Sequence, residues 1–180
     1  MTLIQRQRRQ QSQKLKKDIQ CLIHEEMRRM SPWWFVSFHY RDHHGEEDRI
    51  LEDVADLKRK LCRFIYKSRD KAVNGAGAYP YPKMIFIHER SHQGTGQFHT
   101  HLIAEKFPAS LNSQEGMEAL FARRLPGMVK ALSRWKSVDI QRVGQGLCDF
   151  RRISSYLTKQ VDLDSIVFDP FNSDLSKSKR

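Results

Sequence analysis

"KMIFIHERSHQGTGQFHTHLIAE", Lys83 to Glu105, is two strand-like runs separated by a loop. "KMIFIHE" and "FHTHLIAE" are rich in β-branched and aromatic residues, and "RSHQGTGQ" between them holds Gly94 and Gly96, which suit a hairpin connection. Side chains two apart on a strand point the same way, so His99 and His101 share one face while Phe98, Thr100 and Leu102 turn to the other.

Upstream, "WWFVSFHY" (Trp33 to Tyr40) is aromatic and β-branched, preceded by Pro32 and followed by the polar "RDHHGEED", which predicts a first strand. From Glu46 to Arg69, Ile50, Val54, Leu57, Leu61 and Ile65 keep a 3.6 period with acidic residues first and basic ones last, which predicts a long helix. Downstream, Ser113 to Arg124 reads as a second helix ended by Pro126, and "SVDIQRV" alternates as a fourth strand. Asp149 is placed to cap a last helix through "FRRISSYLTKQV". The order β-α-β-β-α-β with an appended helix predicts an α+β, split-βαβ fold of the ferredoxin or RRM kind. Its antiparallel sheet carries crossover helices on one face. The histidines then look out from the other, open face, where the appended helix has room to sit.

A length of 180 residues holds one domain with tails. The expected division is a basic arm and amphipathic helix over 1–30, the domain over 31–162, and a C-terminal tail over 163–180. The balance of 32 Lys+Arg against 21 Asp+Glu gives a net charge of +11, which makes nucleic acid the first partner to consider. Arg6, Arg8, Arg9, Lys14, Lys16 and Lys17 precede the first acidic residue, and Ile19, Leu22, Ile23, Met27 and Met30 then recur at helical spacing. Cys21, Cys62 and Cys148 are widely spaced, so neither a disulfide framework nor a zinc finger is indicated. With no apolar leader and no run of about 18 apolar residues, a cytoplasmic location without a membrane partner is expected.

Two imidazoles on one sheet face can hold one ion, and Glu89, ending the neighbouring strand, would complete three protein ligands with positions open for substrate. The plain alternative is a pair of surface or hydrogen-bonded histidines. His88, His92, His43 and His44 read as surface residues, His88 pointing opposite to Glu89. Tyr156, Lys159 and Gln160 fall at i, i+3 and i+4 and share a face of the last helix.

From Trp33 to Gln160 the chain resembles the HUH endonuclease superfamily, and within it the rolling-circle replication initiator proteins of plasmids and small viruses. "WWFVSFHY" looks like the first motif strand, Glu89 to His101 with its "GT" and "HTH" looks like the metal motif, and "YLTK" looks like the Tyr-x-x-Lys motif. Thr100 departs from the pattern, since the family has an apolar residue between the histidines. The resemblance implies a site-specific single-strand DNA endonuclease and strand transferase. Tyr156 would attack the scissile phosphate, leaving a 3′-hydroxyl and a 5′-phosphotyrosine. A phenol with a pKa near 10 can be made nucleophilic near neutrality and can also leave again.

It further implies Mg²⁺ or Mn²⁺ on Glu89, His99 and His101, and a supporting role for Lys159. Arg151 and Arg152, with the basic arm residues Arg6, Arg8, Arg9, Lys16 and Lys17, would hold phosphates of single-stranded or hairpin origin DNA. Trp33, Trp34 and Tyr40 are base-stacking or core residues. No G-x-x-x-x-G-K-[ST] loop occurs, so strand separation is expected from a host helicase or from sequence beyond this chain.

Three rivals stay open. Single-strand HUH transposases place a glutamine four residues after the tyrosine as the third ligand, and Gln160 has that spacing. The same fold plan serves RNA-binding modules without chemistry. Two histidines and a carboxylate also suit a zinc or iron hydrolase or oxygenase.

Overall fold

A computed structural model of the chain describes residues 3–41, 47–67, 81–90, 98–126, 135–144, 147–158 and 168–175. Its centre is a five-stranded antiparallel sheet in the order β4-β1-β3-β2-β5, built from β1 (Trp34–Tyr40), β2 (Met84–Arg90), β3 (Phe98–Ala104), β4 (Trp135–Arg142) and β5 (Phe168–Asp169). The α2 helix (Glu47–Tyr66) connects β1 to β2. Between β3 and β4 stand a short turn (Ala109–Leu111) and α3 (Gln114–Ala119), which widens into a π turn over Leu120–Arg124. The strands β2 and β3 pair from Met84 opposite Ala104 to Arg90 opposite Phe98.

The period of two sorts the strands into two faces. Trp34, Val36, Phe38, Met84, Phe86, Leu102 and Ala104 are buried with Ile50, Val54, Leu57 and Leu61 of α2 and with Met117, Leu120 and Phe121. Ser113 caps α3 by accepting from the Gly116 N–H at 3.0 Å, and the Leu125 N–H reaches back to Leu120 O at 2.9 Å. The α2 helix ends where Lys67 takes a left-handed φ of 67°.

The second face is not open. Phe35, Ile85, Ile87 and Ile103 form a second core with Ile23, Met27 and Met30 of α1 (Leu3–Met30) and Leu157 of α4 (Leu147–Leu157). The histidine face therefore has a covered, apolar end and a polar end beside α4. Nor is the N-terminal segment an arm followed by a helix. One helix of 28 residues starts at Leu3, because Gln, Arg, Lys, Leu and Met all favour helix and no Gly or Pro interrupts them. It stops at Ser31, whose φ is 50°, followed by Pro32. The α4 helix begins at Leu147, which puts Asp149 in its first turn, where a carboxylate still favours the positive helix end, rather than at its cap.

Residues 168–175, within the segment assigned to a tail, contribute the fifth strand and a clasp. β5 pairs Asp169 with Phe86 and Phe168 with Ile87. The Asp174 carboxylate accepts from Lys58 Nζ at 2.6 Å, Tyr81 OH at 2.8 Å and the Met84 N–H at 3.1 Å, which ties the segment to α2 and β2 together. Asp169 accepts from His88 Nε2 at 3.2 Å, Asn172 Nδ2 at 2.7 Å and the N–H groups of Phe171 and Asn172, each at 3.0 Å.

Burial pushes the Asp169 carboxyl up, but the hydrogen bonds from His88 and Asn172 outweigh it and leave the pKa below its ordinary value. A depressed folded pKa adds stability that is complete above the unfolded value, near 3.9, and disappears as pH falls through the lower folded value. Urea midpoints measured from about pH 6 to pH 2 should therefore fall below about pH 4 more steeply in the native chain than in Asp169→Asn. Parallel acid profiles would show that Asp169 carries no part of the acid lability.

No described helix is long and apolar enough to cross a membrane.

Candidate active site on the histidine face

His101 is fully buried in the central strand β3. Its Nδ1 lies 2.9 Å from Ser37 Oγ on β1, and its Nε2 lies 3.2 Å from Glu89 Oε2 on β2. The Phe35 ring stacks on the imidazole with centroids 5.3 Å apart and planes 11° from parallel. A hydroxyl behind one nitrogen and a carboxylate at the other fix the ring orientation, as the partners behind a ligating histidine do. Glu89 is itself buried, and its second oxygen, Oε1, accepts no hydrogen bond among the described residues. An orphaned buried carboxylate oxygen costs about 1–3 kcal/mol or more, so Oε1 calls for a partner that the described residues do not supply.

His99 faces Glu89 across the β2–β3 ladder and His39 across the β1–β3 ladder, with its ring 4.4 Å from that of His39. Burial lowers the His39 pKa, the neighbouring His101 and Lys136 lower it further, and Asp139 opposes them. Among the described residues no group of three or more His, Cys, Asp and Glu converges in an ion-holding arrangement. Glu89 and His101 meet instead as a hydrogen-bonded pair, with His99 on the same face. By donor type two imidazoles and a carboxylate suit a divalent transition-metal ion such as Mn²⁺ more than a purely oxygen-seeking one, and to hold it the Nε2–Oε2 contact would have to open.

Tyr156 of α4 comes down beside this set. Its ring centroid is 5.8 Å from that of His101 with the planes 77° apart, and 6.4 Å from that of Phe35. It is 43 % exposed, so the side chain is neither core nor free of the sheet. With Ser37, His39, Asp139, Arg142 and Arg152 it lines a cavity of about 370 Å³ between β1, β4 and α4. Arg152 thus belongs to the mouth of the site, while Arg151 is exposed on the same helix. Lys159 and Gln160 lie outside the described residues, as do His43, His44 and His92. Arg6, Arg8, Arg9 and Lys17 are exposed along α1, and Lys16 is half-buried.

His88 is not a surface residue. It does point opposite to Glu89, but into the other core, where Nδ1 meets Thr100 Oγ1 at 2.9 Å and Nε2 meets Asp169. The polar residue between the two histidines is thereby accounted for: Thr100 gives the His88 ring its second hydrogen bond. Of the three aromatic candidates, Trp34 and Tyr40 are buried. Trp33 is half-buried with the Arg142 guanidinium 4.3 Å and Lys106 Nζ 4.8 Å from its ring centre.

Phe35, Ser37, His39 and Asp139 are members of this site that the motifs do not name. For the first three the signal was the order of residues in "WFVSFHY" joined to the sheet order, since β1 lies beside β3 and every second residue of it faces the histidines, whereas Asp139 enters from β4, opposite Ser37.

Comparison of the chain with protein-family models, with curated proteins and with solved structures gives no match.

Proposed function

We propose that this chain is a site-specific single-strand DNA endonuclease and strand transferase of the HUH type, acting in the cytoplasm to start rolling-circle replication. The observation that carries this reading is Tyr156, half-exposed and lining a cavity, with its ring 5.8 Å from the ring of His101, which is hydrogen-bonded to Glu89. The sheet order β4-β1-β3-β2, with helices connecting β1 to β2 and β3 to β4, supports the finer assignment to the split-βαβ plan.

In this mechanism the Tyr156 phenolate oxygen attacks the phosphorus of a phosphodiester, its proton having passed to solvent. The bond to the 3′ oxygen breaks, that oxygen takes a proton to become a 3′-hydroxyl, and the 5′-phosphate stays on the tyrosine. Attack of a 3′-hydroxyl on the same phosphorus reverses the step and joins strands, because a phenolate is a good leaving group. Glu89, His99 and His101 would hold Mg²⁺ or Mn²⁺, which when bound neutralises a non-bridging phosphate oxygen. Ser37 and Phe35 hold the His101 ring in place. Arg152, on the cavity wall, holds a phosphate of the entering strand without reading its base. The partner is single-stranded or hairpin origin DNA.

The test compares Glu89→Ala with Gln160→Ala for Mn²⁺-dependent cleavage of hairpin-bearing oligonucleotides. Loss of about 100-fold or more in Glu89→Ala, with Gln160→Ala active, is the expected result. A dead Gln160 variant beside an active Glu89 variant transfers the third ligand to the last helix and turns the assignment to a single-strand transposase.

A further inference from the structure

The α1 helix extends well beyond its buried contacts. Its 28 residues span about 42 Å at 1.5 Å per residue, yet its buried side chains are Ile23, Glu26, Met27 and Met30, all in the C-terminal third. Every residue from Leu3 to Gln11 is exposed. Between Gln5 and Lys14 the sequence "QRQRRQQSQK" contains no apolar residue and no acid. A helix polar on all sides is only marginal by itself in water. The residues chosen here, Gln, Arg and Lys, are good helix formers, which favours the helix where its side chains are exposed.

The chemistry of this projection discriminates among partners. At 100° per residue, Arg6, Arg9 and Lys17 fall along one side, Lys14 flanks them and Arg8 faces away, so positive charge surrounds the rod. Single strands are held by cationic grooves with aromatic platforms, and α1 has no Phe, Tyr or Trp from end to end. A membrane-surface helix needs an apolar face, whereas among the described residues before Leu22 the only exposed large apolar ones are Leu3 and Ile4. A helix about 10–12 Å across matches the major groove of B-form DNA, about 12 Å wide, with phosphates on both sides of it, while A-form RNA keeps that groove too narrow.

We propose that the exposed half of α1 docks on double-stranded DNA through the major groove, binding phosphates of both strands irrespective of sequence. The contact itself follows from charge and shape. Only the source of the duplex, a stem beside the nicked strand, rests on the function proposed above.

The test uses the full chain and a five-site variant, Arg6→Gln, Arg8→Gln, Arg9→Gln, Lys14→Gln and Lys17→Gln, which preserves helix propensity. Binding to a labelled duplex of about two helical turns is followed by anisotropy with chelator present, between about 50 and 200 mM salt. If about three phosphate contacts are lost, affinity should fall about 100-fold near 0.1 M salt and the log–log salt slope should become shallower by about 3. Affinity for a single strand of the same length should fall far less, and the helical circular dichroism should not change. Unchanged duplex affinity and slope overturns the proposal. So does an equal loss on single strands, or a loss seen only on phosphatidylcholine vesicles with about 30 % phosphatidylserine. Cleavage of an unpaired oligonucleotide, run in parallel, separates the two readings: a chain that never nicks but loses duplex affinity in the variant keeps the docking surface and loses the nuclease.

Discussion

Tyr156→Phe is expected to abolish covalent capture of single-stranded DNA, lowering it by at least about 10³-fold, while the fold and the DNA affinity stay as they were. The ring, half-exposed against His101 and Phe35, keeps its edge contacts in the variant, so stability should change by no more than about 0.5 kcal/mol. Only the oxygen is removed, and with it the atom that must bond to phosphorus. The adduct carries the DNA that lies 3′ of the cut, so the oligonucleotide is labelled at its 3′ end and the denaturing gel is read for a shifted protein band. A shifted band of equal intensity in the variant would assign the nucleophile to another residue. A native chain that binds DNA tightly and forms no band with any hairpin substrate would leave a binding module.

The second large effect concerns the fold. Lys58 is almost entirely buried, with Nζ 2.6 Å from Asp174 Oδ1 and 2.7 Å from the carbonyl of Asn172. Asp174→Ala removes an opposing charge from a buried ammonium and also takes an acceptor from the Tyr81 hydroxyl and the Met84 N–H. Breaking a buried pair from one side costs about 3–5 kcal/mol, and partial exposure of Asp174 argues for the lower end, about 3 kcal/mol. For a chain of this size that is a fall in melting temperature of roughly 6–12 °C. Asp174→Asn, which keeps the acceptor but not the charge, should recover part of it. Native melting behaviour in Asp174→Ala would mean that residues 168–175 are not needed to hold β2 against α2.

Much of the sheet was legible in the sequence because its strands are aromatic and β-branched runs bounded by polar, turn-forming stretches. "WFVSFHY" and "FHTHLIA" are buried on both sides over most of their length, and the β1–β3 register sets which of those sides coincide. The β2–β3 register sets His99 opposite Glu89 and leaves His101, two residues on, on the same face, where it meets Glu89 diagonally. What was not legible depends on contacts with no local signature. β5 is two residues long and finds β2 some 80 positions away, so neither propensity nor period announces it. The cover on the histidine face comes from Ile23, Met27 and Met30, whose helical spacing was visible but whose docking site was not. His88 was misread as a surface residue because its two partners, Thr100 and Asp169, come from the next strand and from that same distant clasp. Ser37 and His39 went unnamed for a different reason: motifs mark chemistry one residue at a time, whereas the site is assembled across strands.

The most direct measurement is the chemical identity of the residue that carries the DNA. Trypsin cuts after Arg152 and Lys159, so Tyr156 is released in the peptide ISSYLTK, residues 153–159. After incubation of the native chain with Mn²⁺ and hairpin DNA, nuclease trimming and digestion, tandem mass spectrometry should find a phosphonucleotide mass on this peptide, localised by fragmentation to Tyr156. The same mass on a peptide from another part of the chain, or on Ser154 or Ser155, would contradict the placement of the nucleophile beside His101 and Glu89.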